Sequence, residues 1–180
     1  MKHLSVRHLT FLGICVALNY VGAALALFLR LPIYLDAFGT VLAAFLLGPV
    51  YGAGVGTVSA LLNFLISDPY ALYYAPVQIL LGLLAGVLYR NGWLRGKKFP
   101  AGLVFLTVPG TAVSSFITAY LFGGITSSGS SLLVQLLHHA GLNLTASVFV
   151  VQILTDGLDR LILVCCMLAL VRAIPARLRQ

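Results

Sequence analysis

The sequence Arg-Asn-Gly-Trp-Leu-Arg-Gly-Lys-Lys, at residues 90–98, forms a short basic loop between two long apolar runs. Most of the other lysine and arginine residues lie in two further clusters, one near each end of the chain. In polytopic membrane proteins, lysine and arginine are concentrated in the cytoplasmic loops. The pattern therefore predicts a chain that crosses a membrane several times, with its basic loops on one side.

The composition excludes a water-soluble domain. Of the 180 residues, 61% are hydrophobic and 8% are charged, whereas soluble domains carry about 25% charged residues. The net charge of +7 does not indicate nucleic acid, because the basic residues flank apolar runs and lie beside the headgroups of a lipid bilayer. We expect an all-α integral membrane protein with a single domain over residues 1–180.

Hydropathy and turn residues predict six transmembrane helices. A span needs roughly 20 apolar residues, and the candidate spans are 9–29, 34–47, 50–66, 75–89, 101–122 and 144–171. Residues 123–143 are too polar to span. With an even number of spans, both termini and nine of the eleven basic residues, all except Arg30 and Arg160, lie on the cytoplasmic side.

All four acidic residues, Asp36, Asp68, Asp156 and Asp159, lie in the outer half of this topology. An acidic residue within a membrane is a functional candidate because its burial is costly. On a helix, Asp156 shares one face with Asp159 and Arg160, and the spacing of Asp156 and Arg160 permits an ion pair. The cluster either locks the sixth span to its neighbours or hydrogen-bonds a polar ligand.

Other polar residues of the outer half have two interpretations each. Asp36 either caps the second helix or contacts a ligand. Asn63 and Gln78 either bridge helices or contact a ligand. The three tyrosines in residues 70–74 are either interfacial anchors or a lid over a pocket. The candidate ligand-binding residues are Asp36, Asn63, Tyr70, Tyr73, Tyr74, Gln78, Asp156, Asp159 and Arg160.

Motifs for catalysis and metal binding are missing. The chain has no H-E-x-x-H, no G-x-S-x-G and no P-loop. His138 and His139 are adjacent, so their side chains diverge on a helix and do not share one metal ion. We expect no enzymatic activity, no metal and no cofactor. Ser114, on the fifth span, is expected to lie outside the ligand site.

Five segments carry a resemblance to a known family: residues 35–49, 51–59, 74–86, 123–126 and 154–160. Over essentially its whole length, the chain resembles the S components, which are the substrate-binding subunits of energy-coupling factor (ECF) transporters. The resemblance implies a six-helix subunit of the bacterial cytoplasmic membrane that captures a vitamin or related heterocyclic micronutrient in an outward-facing pocket. The loops between spans 1 and 2 and between spans 3 and 4 would form its lid.

The same resemblance implies partners. A transmembrane coupling subunit and two ATPase subunits would drive the S component to topple in the membrane. Small residues on span 1 would form the docking surface, and Gly13 and Ala17 are the matching positions here.

Two alternatives come from other classes of protein. A transmembrane input domain of a signalling system would be expected to continue into a cytoplasmic helix and an effector beyond Val171. A small membrane enzyme would need a catalytic pair, which only Asp156 and Asp159 could supply.

Overall fold

The computed structural model describes residues 5–173. The predicted cytoplasmic ends of the chain, with Lys2, Arg177 and Arg179, lie outside the described residues. Within 5–173 the chain is helical and has no strand. Its α-helices are α1 (Val6–Phe28), α2 (Phe38–Leu46), α3 (Pro49–Ile66), α4 (Ala75–Arg90), α5 (Phe99–Phe116), α6 (Ser130–His139) and α7 (Leu144–Ala173). A 3-10 turn at Gly96–Lys98 precedes α5, and a π-helical turn at Ile117–Leu121 continues it.

Three helical segments are long and apolar enough to cross a membrane: Val6–Phe28, Pro49–Ile66 and Gly96–Leu121. The apolar helix Ala75–Arg90 is shorter. Helix α7, with 30 residues, is the longest of the described helices, and three of its side chains are charged in the segment 156–160. Helix α6 has only 10 residues and lies within the segment that is too polar to span.

Helix α2 is much shorter than the predicted span 34–47. Its nine residues cover about 14 Å, or roughly half of a 30 Å hydrocarbon core. The chain at 34–37 is a loop that precedes the helix. Seven of the nine residues of α2 are buried, so the helix begins inside the bundle and is surrounded by its neighbours.

The start of α2 is capped by a side chain from α1. Asn19 is fully buried, and its Oδ1 accepts hydrogen bonds from the backbone N–H groups of Gly39 (2.7 Å) and Thr40 (3.4 Å). Its Nδ2 donates to the hydroxyls of Thr40 (2.8 Å) and Ser59 (3.0 Å). The first N–H groups of a helix have no acceptor within that helix. The interpretation of Asp36 as the cap is therefore wrong, and α2 has no side-chain cap of its own.

Glycines allow α3 and α4 to approach closely. A Cβ added at Gly82 would collide with the backbone of Gly52 and Ala53, and one added at Gly56 would lie 2.9 Å from the carbonyl oxygen of Gln78. Small residues let helix backbones meet in this way in lipid. The opposite face of α3, with Val58 and Leu65, is exposed.

The two halves of the bundle differ in polarity. The main apolar core lies towards the end that carries six of the eight basic residues of the described chain: Arg7, Arg90, Arg95, Lys97, Lys98 and Arg172. We call this the basic end; Arg30 and Arg160 lie in the other half. There Phe45 stacks on Tyr89 with ring centroids 4.1 Å apart, and the guanidinium of Arg95 lies 4.3 Å from the Tyr89 ring centroid. Most of the buried hydrogen bonds between side chains lie in the other half.

We expect Gly82→Ala to destabilise the protein by about 1 to 3 kcal/mol, because the added methyl group forces α3 and α4 apart. Gly54→Ala is the matched control, since a Cβ at Gly54 meets nothing within 4 Å. Thermal unfolding in detergent measures both variants. Equal unfolding temperatures for the two variants would contradict the close approach of α3 and α4.

Candidate functional site

A cavity of about 110 Å³ lies in the polar half of the bundle. A single water needs roughly 10 to 15 Å³ by the same measure, so the cavity can hold a small organic molecule. Its wall is built from α1, α3, α4, α5, α7 and the loops 29–37, 67–74 and 122–129. Alanine, leucine, isoleucine and valine side chains line it together with a larger number of polar and charged residues.

The structure brings six of the nine predicted ligand-binding residues to the wall of this cavity: Asp36, Asn63, Tyr74, Gln78, Asp156 and Arg160. The other three, Tyr70, Tyr73 and Asp159, do not line it. The cavity thus collects residues that are up to 124 positions apart in the chain.

Asp159 holds the loop beside the cavity. Its Oδ2 lies 2.7 Å from Nη1 of Arg160, and its Oδ1 accepts hydrogen bonds from the backbone N–H groups of Tyr34 (3.3 Å) and Leu35 (3.1 Å). Leu35 has a φ of +52°, a left-handed conformation that is costly for leucine. The spacing in the sequence permits an ion pair between Asp156 and Arg160, but in the structure Arg160 pairs with Asp159. Asp159 also fixes the loop that carries Asp36.

Asp156 is bound by α5. Its Oδ2 accepts hydrogen bonds from the hydroxyls of Thr111 (2.7 Å) and Ser114 (3.3 Å). Ser114 also donates to Oε1 of Gln152, at 3.2 Å, and lines the cavity. The expectation that Ser114 lies outside the site is therefore wrong. Thr111, Ser114 and Thr118 are three and four residues apart, so their polar side chains lie on one face of the helix. This polar face is the feature of the sequence that predicts α5 at the site.

Asp36 and Gln78 join loop 29–37 to α4. Nε2 of Gln78 donates to Oδ2 of Asp36 at 2.7 Å, and the Thr40 hydroxyl donates to Oε1 of Gln78 at 3.4 Å. Gln78 therefore both bridges elements and lines the cavity.

Asn63 differs from its neighbours. Only 6% of its surface is exposed and it lines the cavity, yet its side-chain amide has no hydrogen-bond partner within residues 5–173. Unlike the hydroxyls of Thr107 and Ser115, which are sealed in the interior without a partner, this amide keeps accessible surface in the cavity wall. The amide of Asn63 is thus free to bind a molecule in the cavity.

The tyrosine cluster covers one side of the cavity. The rings of Tyr70, Tyr73 and Tyr74 surround Phe122, with centroid distances of 4.8, 5.2 and 6.2 Å. Of the three, Tyr74 reaches the cavity, and its hydroxyl lies 2.6 Å from that of Thr118. Tyr70 and Tyr73 are therefore packing residues of the cover and do not contact the cavity themselves.

The three loops around the cavity contact one another. Oδ2 of Asp68 accepts a hydrogen bond of 2.8 Å from the Ser127 hydroxyl, which ties loop 67–74 to loop 122–129. A Cβ on Gly129 would collide with the carbonyl of Arg30, so loop 122–129 also abuts loop 29–37. The sequence did not place Thr126, Ser127 and Ser128 at the cavity, because a serine-rich segment has no periodicity that assigns it a face.

His138 and His139 end α6, away from the cavity wall, and both are exposed. Nδ1 of His138 lies 2.9 Å from the carbonyl oxygen of Leu142. Among residues 5–173, no three His, Cys, Asp or Glu side chains are grouped to hold a metal ion.

The structure thus combines apolar helices long enough to cross a membrane with a loop-covered polar cavity. The family model for "ECF transporter, substrate-specific component" matches residues 7–171. The chain therefore belongs to the family of ECF transporter substrate-specific components, as the resemblance in its sequence indicates. No curated protein and no solved structure gives a significant match. The chain is thus a substrate-binding S subunit of a membrane transport system.

We expect Asp159→Asn to destabilise the protein by about 3 to 5 kcal/mol, because it leaves the buried Arg160 guanidinium without its ion-pair partner. The double variant Asp159→Asn/Arg160→Met should regain a large part of that loss, because it removes the uncompensated charge. Thermal unfolding of the wild type, both single variants and the double variant measures the coupling energy. Strictly additive effects would show that Asp159 and Arg160 do not stabilise each other.

Proposed function

We propose that this S subunit captures a small heterocyclic micronutrient of the vitamin type from outside the cell and passes it to an ECF coupling module. The observation that carries the proposal is the free amide of Asn63, buried in the wall of a covered cavity. The amide keeps accessible surface in the cavity wall, where a ligand can supply the hydrogen-bond partner that the described chain does not supply.

The cavity wall supports a ligand that is partly flat and partly polar. Tyr34 and Tyr74 both line it, and their rings offer faces for stacking. Around them are hydrogen-bonding groups of both kinds, with acceptors on Asp36 and Asp156 and donors on Arg160. A heterocycle with ring nitrogens and polar substituents matches this pattern.

The contacts of the acidic pair favour binding over catalysis. Asp159 is engaged with Arg160 and with two backbone N–H groups, and it does not line the cavity. Asp156 therefore has no acidic partner at the cavity wall within its own helix. We propose that the subunit has no intrinsic catalytic activity and that ATPase partners supply the energy for transport.

The placement of charges supports an orientation in the bacterial cytoplasmic membrane. The residues of the basic end lie opposite the cavity, because α1 and α4 each have the cavity at one end and basic residues at the other. Basic loops favour the cytoplasmic side. We propose that the cavity opens outwards, that both termini are cytoplasmic, and that α2 completes a six-segment topology as a short span.

Helix α1 offers a docking face. Gly13 and Ala17 are both exposed, one helical turn apart, and a Cβ on Gly13 would meet nothing within 4 Å. Small exposed residues at this spacing let another transmembrane helix approach closely. We propose that this face contacts the transmembrane coupling subunit, which in turn binds two ATPases.

Replacement of Asn63 by leucine tests the proposed function. We expect Asn63→Leu to lower the affinity for the transported micronutrient about ten- to a hundredfold, because one buried hydrogen-bonding group is lost. The unfolding temperature of the ligand-free variant should stay close to that of the wild type, because the Asn63 amide makes no hydrogen bond to the described chain. Mass spectrometry of small molecules that copurify with each protein measures the first effect, and thermal unfolding the second.

Thr107→Val is a suitable control for Asn63→Leu. The Thr107 hydroxyl is buried without a partner within the described chain, but the residue does not line the cavity. This variant should retain the copurifying molecule. If no small molecule copurifies with the wild type, or if Asn63→Leu retains it at wild-type levels, the proposed role of the cavity is wrong.

Replacement of Gly13 by tryptophan tests the docking face. We expect Gly13→Trp to lower micronutrient uptake by cells that contain the coupling module, while the isolated subunit still binds, because only the surface of α1 changes. Gly54→Trp is the matched control, since Gly54 is an exposed helical glycine on α3 with nothing near its Cβ position. If Gly13→Trp loses binding and uptake in parallel, this face of α1 supports the fold or the pocket and is not a docking surface.

A further inference from the structure

The acidic residues of the chain are gathered at the cavity. Asp36, Asp68 and Asp156 line it, and Asp159 is joined to Arg160 in its wall. These are all four acidic residues of the sequence. Of the basic residues within 5–173, Arg160 alone lines the cavity. Counted as ionised, these four carboxylates and the Arg160 guanidinium sum to a formal charge of −3, whereas the whole chain has a net charge of +7.

The single guanidinium is already committed. Arg160 pairs with Asp159 at 2.7 Å. In the described chain, neither Asp36, Asp68 nor Asp156 has a lysine or arginine nitrogen within 4 Å. Their hydrogen-bond donors are neutral: the amide of Gln78 for Asp36, hydroxyls of α5 for Asp156, and the Ser127 hydroxyl with a backbone N–H for Asp68.

Of the carboxylates that line the cavity, those of Asp36 and Asp156 each have one oxygen to spare. Oδ2 of Asp36 accepts from Gln78 and Oδ2 of Asp156 accepts from Thr111 and Ser114, while Oδ1 of each has no side-chain donor among residues 5–173. Arg160 acts on both carboxylates electrostatically but forms its direct ion pair with Asp159. The attraction of a partly buried carboxylate for a positive group in direct contact is strong, because less water screens it than at the surface. A positive group in the cavity would make that direct contact.

Two further features of the wall agree with a positive ligand. The Asn63 amide makes no hydrogen bond to the described chain, so its oxygen can accept one from a bound molecule. Tyr34 and Tyr74 supply aromatic rings, whose faces attract cations. The acidic cluster thus coincides with a cavity that has an independent mark of ligand binding.

We propose that the molecule bound in this cavity is a small organic cation, with its positive group placed between Asp36 and Asp156. The inference rests on the proposed function, which it narrows from heterocyclic micronutrients in general to those that carry a positive charge at neutral pH. Arg160 then stays paired with Asp159 and contacts a neutral or electron-rich part of the same molecule.

Fractionation of a bacterial metabolite extract by charge tests this inference on many candidate molecules at once. Ion-exchange resins divide the extract into cationic, neutral and anionic pools, and each pool is added to the purified ligand-free subunit. The cationic pool should raise the unfolding temperature, because a molecule that binds only the folded state stabilises it. For Asp156→Asn, the cationic pool should have to be about ten to a hundred times more concentrated to give a half-maximal shift, because the variant binds more weakly.

Two controls separate charge from folding. Asp36→Asn should weaken the response in the same direction as Asp156→Asn, whereas Thr107→Val should respond like the wild type. Stabilisation by the neutral or anionic pool alone would overturn the cation assignment and leave the proposed binding function intact. No stabilisation by any pool would contradict the proposed function as well.

Discussion

The fold depends on how α2 begins inside the bundle. No water is present in a hydrocarbon core, so the N–H groups at the start of a buried helix need acceptors from the protein. Asn19 supplies that acceptor from α1 and donates to α2 and α3 with the same amide. Because α2 can start at mid-depth, the space beyond its first turn is available for a cavity between α1, α3, α4 and α7. A loop, 29–37, covers that space where a longer α2 would otherwise lie.

Polar residues around the cavity divide into those that hold the structure and those that are available to a ligand. Asp159 uses both oxygens for the ion pair and for the strained loop at Leu35. Asn63 makes no hydrogen bond to the described chain, and its amide is available in the cavity wall. The contrast between Asp159 and Asn63 shows which buried groups are structural and which belong to the site.

Much of the fold could be predicted from hydropathy and charge, and the rest depends on distant contacts. The long helices and six of the nine candidate residues follow from apolar runs and from polar groups within them. The short α2 could not be predicted from hydropathy, because the backbone of the loop at 34–37 is held by Asp159, about 125 positions away in the sequence. Ser114 was misplaced for a similar reason, since its partner Asp156 lies on another helix.

The contacts among the three loops bear on the kinetics of exchange. Asp68 ties loop 67–74 to loop 122–129, and loop 122–129 abuts loop 29–37, so no loop can move away without disturbing another. Entry and exit of a bound molecule then share one concerted opening of the cover. A slow opening limits the association rate and lengthens the residence time together. For a carrier, such a cover keeps its cargo through many encounters with outside solution and leaves release to an event that deforms the bundle itself.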